Sequence, residues 1–154
     1  MAHRVPIDWD DLEIALTMHT GEQSSYLDLR TGKVEMAANE IIGSDAGLSE
    51  EEVETGFIEG YLIHIEPISS QIEYRWMAAF VETVTDRRLR EMLDLALDGR
   101  GAFRRFKAVL SDHPVERERW FAFRQQRLDQ EMKEWLAEND IEPTTRLPKS
   151  GTKA

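Results

Sequence analysis

Cysteine is absent from the 154-residue sequence, and with it go several kinds of chemistry. Disulfides, thiolate nucleophiles and cysteine-ligated zinc or iron–sulfur centres are excluded, and the absence suits a reducing compartment. Long apolar runs are missing too. No window approaches the roughly 20 residues a membrane-spanning helix needs, and residues 1–10 hold no apolar leader-like core. The expectation is a cytoplasmic protein with no membrane partner. Positive charge is scarce, with 19 Lys and Arg against 30 Asp and Glu and a net charge of −11. A surface of that sign repels phosphate backbones and anionic lipid, which argues against a protein that coats either with its whole surface. Internal repeats and low-complexity tracts are also lacking, which removes solenoids and linkers from the body of the chain.

What is present is enough for one domain that buries about two-thirds of its unfolded surface and needs no metal or disulfide to fold. The charge is unevenly spread. Residues 1–85 carry 4 positive and 17 negative side chains, residues 86–127 carry 11 and 7, and residues 128–154 carry 4 and 6. Only the middle block is basic.

Periodicity then divides the chain. Asp8 followed by Trp9, Leu12 and Leu16 reads as a capped amphipathic helix. Residues 24–30 and 33–37 flank Thr31-Gly32, where glycine can take the positive φ of a tight hairpin. Leu27 and Leu29 are expected to face the core, with Tyr26 and Asp28 on the opposite side. Ser49 and Glu52 have capping-box spacing for a helix over about residues 50–58 that Gly60 stops. Tyr61, Ile63 and Ile65 then alternate as one face of a third strand ending at Pro67.

From residue 70 onward the pattern is helical. Ser70 and Glu73 suggest another capping box, with Ile72, Trp76, Phe80 and Val84 on one stripe. Asp86 caps a helix whose inner face is Leu89, Met92, Leu93 and Leu97, terminated at Gly99. Gly101 opens a helix with Phe103, Phe106 and Leu110 inward. Pro114 starts the longest helix, to about residue 138. These elements define an α+β fold: an N-terminal helix, a three-stranded antiparallel sheet around the 24–38 hairpin, and a C-terminal four-helix portion. The expected organisation is a single domain over 1–143, followed by a disordered tail over 144–154.

The stretch from residue 99 to 127 is the most distinctive part. In helical register Arg100, Arg104 and Lys107 share an outward stripe. Arg117, Trp120, Arg124 and Arg127 share another, beside an inward row of Phe121, Leu128, Met132 and Trp135. Trp120, Phe121 and Phe123 spread wider than one buried stripe requires. Arginines and aromatics so arranged suit recognition of carboxylate or phosphate with stacking on Trp120. The competing reading is that the same contacts staple helices together. The candidate binding residues are Arg100, Arg104, Lys107, Arg117, Trp120, Phe123, Arg124 and Arg127.

Catalytic patterns are weak by comparison. Asp8, Asp10, Asp11 and Glu13 could be imagined around a hard cation, but helix-start chemistry accounts for them. Glu50, Glu51 and Glu52 read as a solvated first turn. His64 and His113 have no metal-ligand spacing with another histidine. Gly99-x-Gly101 follows a helix and lacks a third glycine, and no serine sits in a Gly-x-Ser-x-Gly context. No catalytic residue, metal or cofactor is expected.

Four blocks in one order, Tyr26-Leu27-Asp28-Leu29 with Thr31-Gly32, Glu73-Tyr74-Arg75-Trp76-Met77, Gly101 to Lys107 with Val109-Leu110, and Glu116-Arg117 with Arg119 to Arg124, resemble the bacterial uncharacterised protein family 0158. The likeness spans residues 5–143. It implies a bacterial protein and brings no activity, cofactor or site residue. The functional expectation is therefore a non-catalytic binding or regulatory module that meets an acidic protein surface. An enzyme using carboxylate or metal chemistry, and a single-strand nucleic-acid binder, stand as alternatives. Oligomeric state is left open by the sequence.

Overall fold

Capping residues and apolar spacing translate into eleven elements in a computed structural model that describes residues 2–19, 23–38 and 47–148. They are β1 (His3–Val5), α1 (Trp9–Thr17), β2 (Gln23–Asp28), β3 (Val34–Ala38), α2 (Glu50–Glu59), β4 (Leu62–Ile65), α3 (Ser70–Glu82), α4 (Arg87–Ala96), α5 (Ala102–Ser111), α6 (Pro114–Glu138) and β5 (Ile141–Pro143). Cα packing groups the described residues into two compact units, those up to 68 with 130–148 and those over 69–129.

The first unit is built on a three-stranded sheet in the order β3-β2-β4, antiparallel throughout. The hairpin turn rests on Gly32. Its φ is +78°, and a Cβ there would stand 1.6 Å from the Pro6 carbonyl oxygen, so only glycine fits. Both faces of β2 are covered. Leu27 is fully buried, but so are Tyr26 and Asp28, while Leu29 is only half-buried. The face opposite Leu27 is covered as well, because α2 lays Phe57 edge-on against the Tyr26 ring, 5.5 Å between centroids, and Arg30 closes over Asp28.

Helix α2 forms the complete capping box between Ser49 and Glu52 and ends at Gly60. It can approach β4 because Gly56 carries no side chain: a Cβ would meet Leu62 Cδ1 at 2.3 Å. That approach makes Leu62 the buried residue of β4 together with Ile65, in place of the expected Tyr61, Ile63 and Ile65 face.

Helix α1 starts as the sequence suggests, with Asp8 accepting the Asp11 N–H at 3.1 Å. Leu12, Ala15 and Leu16 are its buried stripe, at the three- and four-residue spacing of one helix face. A parallel two-stranded pairing of β1 with β5 was not anticipated, since three-residue strands leave almost no periodic signal. The chain beyond it is held as far as it is described: the Thr144 N–H donates to the Val5 carbonyl, and the Thr145 hydroxyl exchanges hydrogen bonds with Ile7 N–H and C=O at 2.9 and 2.6 Å. The tail expected from residue 144 is thus tied down at its start, and residues 149–154 lie outside the described residues.

The second unit is helical. Ser69, not Ser70, caps α3 and accepts the Ile72 N–H, which moves Glu73 out of box position and leaves its carboxylate for another partner. Asp86 caps α4 through the Leu89 N–H, at 3.0 Å. Leu89, Leu93 and Ala96 are buried on α4. Met92 is 41% exposed. On α5 the buried stripe is Ala102, Phe106 and Leu110 at four-residue intervals, so Phe103 falls about 100° away and lies partly in solvent. Phe80, Phe106, Trp120 and Phe123 form an aromatic cluster with centroids 5.0 to 6.4 Å apart, Trp120 and Phe123 stacked and the other pairs edge-to-face, each such pair worth about 0.5–1.5 kcal/mol beyond its burial. Among the described residues no helix is long and apolar enough to cross a membrane.

Candidate functional site

Helix α6 separates the candidate residues by register. Trp120, Leu128, Met132 and Leu136 are buried at multiples of four along one stripe. Arg124 occupies the missing step and is therefore turned inward, where its Nη2 donates to Glu73 Oε1 at 3.0 Å. Of the stripe expected to present cations outward, Trp120 and Arg124 thus lie on a packed face, while Arg127 is exposed. Trp120 is only 6% exposed, which closes it to a partner and makes it part of the aromatic cluster. Phe123 is half-buried in that cluster, and Arg127 stacks over the Phe123 ring at 4.9 Å. Arg117 is half-buried with its Nε enclosed and without a hydrogen bond. Phe121, expected inward, is 52% exposed because it sits one residue off the buried row. Trp135 is half-buried.

Two arginines that periodicity did not single out are architectural. Arg119 donates to Glu116 and to the Thr83 hydroxyl and lies 5.3 Å from the Phe80 ring centre. Arg105 turns back to the end of α4 and donates from Nε to the Ala96 carbonyl at 3.1 Å, and from its terminal nitrogens to the carbonyls of Asp98 and Arg100. Those carbonyls belong to the helix end and the turn after it, where intrahelical donors run out. The legible signal was an arginine a few residues past a helix stop, a usual way of satisfying terminal carbonyls.

What remains is a compact set on and just before α5. Arg100, Arg104 and Lys107 are exposed and, among the described residues, no carboxylate lies within ion-pair distance of any of them. Phe103 stands in the same stretch, 37% exposed. Residues 69–129 as a whole carry 12 Lys and Arg against 10 Asp and Glu, a local net charge of +2 in a chain of −11. With a Debye length of about 8 Å at physiological ionic strength, an approaching group feels this local balance more than the total.

The acid-rich start of α1 behaves as a helix start. Asp8, Asp10 and Asp11 are exposed, Asp8 serves as N-cap, and the Asp11 carboxyl is pushed up by partial desolvation and by the Asp8 and Asp10 carboxylates beside it. Among the described residues no group of three or more His, Asp or Glu has metal-holding geometry. A shallow cleft of about 470 Å³ lies within the first unit, with Trp9, Asp10, Gly32, Lys33 and Arg146 among its lining residues. Its charged lining is Asp8, Asp10, Lys33 and Arg146.

Comparison with known proteins gives a family and no activity. The sequence profile described as "Uncharacterised protein family (UPF0158)" matches residues 5–151. A curated UPF0158 protein of Pseudomonas aeruginosa is 30% identical over 142 residues, covering 92% of this chain and 89% of that protein. No solved structure matches the chain.

Proposed function

From the premise that the chain belongs to UPF0158, a family whose name carries no chemistry, we propose that it is a non-catalytic binding or regulatory module whose α5 face takes an acidic protein surface. One observation carries the reading: Arg100, Arg104 and Lys107 stay exposed and free of ion pairs among the described residues, in a chain with 30 carboxylate side chains. Paired guanidinium groups such as Arg124 are committed to the fold, whereas these three lose no internal partner on meeting a ligand. The spacing of Arg104 and Lys107, one turn apart, suits carboxylates carried on a partner helix. Arginine adds a planar fork that a carboxylate can engage with two hydrogen bonds.

Phe103 beside the cations supplies apolar contact, a pairing typical of interface centres. The test is fluorescence anisotropy of labelled polyglutamate titrated with the full chain at low salt. Binding should weaken as salt rises and should be lost in Arg104→Glu, whose circular dichroism stays that of the wild type. Equal affinity of the two proteins, or an unfolded Arg104→Glu variant, contradicts the proposal.

A further inference from the structure

The second unpartnered surface lies on α2, and its chemistry mirrors that of α5. Ile58 is 77% exposed and Phe57 49% exposed, although Phe57 also touches the Tyr26 ring. Glu51, Glu54 and Ile58 follow one another at i, i+3 and i+7, so they share one helix stripe. Glu51 and Glu54 are exposed, and among the described residues no cation lies within ion-pair distance of either. The helix holds five glutamates and neither Lys nor Arg. An isoleucine left in water next to unpaired carboxylates is an unsatisfied apolar contact with an electrostatic address, and the α5 cations carry the matching one.

We propose that the acidic surface taken by the α5 cations is helix α2 of a second copy of this chain, an inference that rests on the binding-face reading above. The spacings correspond. Arg104 to Lys107 spans three residues within α5, as does Glu51 to Glu54 within α2, about 4.5 Å along either helix. Laid antiparallel, Lys107 of one copy meets Glu51 of the other and Arg104 meets Glu54, and Ile58 lies past Glu54 on the Phe103 side of that pair. Every copy carries both faces, so association either closes by symmetry or continues head to tail. Charge gives the pairing its selectivity: two α2 faces repel each other, as do two α5 faces, and only the mixed contact is attractive.

Sedimentation velocity of the full chain over rising concentration tests this. At low salt, mass-dependent association is expected, reversed at high salt. Arg104→Glu and Glu54→Lys should each weaken it by about tenfold, since each turns an attraction into a repulsion, and the double variant should recover it. Where Glu54→Lys fails to fold by circular dichroism, Lys107→Glu with Glu51→Lys replaces that pair. A chain that is monomeric throughout, association indifferent to the reversals, or a double variant no better than the singles overturns the proposal. Polyglutamate binding separates the two failures. A monomer that still binds polyglutamate through Arg104 rejects only the second copy, while a monomer that does not bind rejects the α5 face as well.

Discussion

Asp28 shows how a single carboxylate can organise a turn. It accepts the Arg30 N–H at 2.8 Å and both guanidinium arms at 3.1 and 2.9 Å, while the guanidinium lies 3.6 Å from the Tyr61 ring centre. Hydrogen bonding from the Arg30 side chain holds the Asp28 carboxyl below its usual range, against the opposing effect of burial. A depressed folded-state value means that the stabilisation is fully present above the unfolded value, about 4, and disappears as pH falls through the lower folded value. Urea titrations at a series of acidic pH values should therefore show a shallower acid loss in Asp28→Asn than in the wild type, from a lower starting stability. Parallel curves would contradict the role. Glu131 has the opposite sign. Burial, then Glu134 and Glu138, push its carboxyl up, so the ionised form opposes folding at neutral pH and the opposition fades as pH falls. Glu131→Gln should raise the melting temperature at neutral pH with little effect in acid. A melting temperature lowered at neutral pH would count against it.

At the scale of elements, the α4–α5 connection depends on Arg105 satisfying three carbonyls from one planar fork. Lysine has the charge without the fork, so Arg105→Lys should cost about 1–3 kcal/mol in denaturant unfolding, whereas an unchanged midpoint would show those carbonyls to be served by water. Element positions were largely legible, because caps are local chemistry: Asp8, Ser49 and Asp86 each accept the N–H they were expected to accept. Faces were less legible. The register of α5 is set by Ala102, a residue too small to draw notice beside Phe103, and that of α6 by a row in which Arg124 stands among apolar residues. Spacing alone cannot tell a guanidinium facing water from one facing Glu73, because the partner lies 51 residues away. The β1–β5 pair is the extreme case, joining residues more than 130 positions apart through strands of three residues each.

For the whole molecule, charge is partitioned between the two units much as it is between the first and middle blocks of the sequence. Residues 1–68 and 130–148 together hold 5 Lys and Arg against 20 Asp and Glu, a net −15, beside the +2 of residues 69–129. The arginine- and aromatic-rich stretch is likewise divided. Trp120, Phe123 and Arg124 serve the packing, Arg127 lies exposed over the Phe123 ring, and Arg100, Arg104 and Lys107 are exposed with no ion pair among the described residues. That division is the central claim, and the triple variant Arg100→Glu/Arg104→Glu/Lys107→Glu tests it most directly when its thermal unfolding and its polyglutamate affinity are measured on the same sample. Exposed substitutions away from structural contacts change stability by about 0.5 kcal/mol or less each, so the account predicts a melting temperature near that of the wild type together with loss of binding. A melting temperature lowered by more than about 10 °C, or binding that survives the reversal, would contradict it.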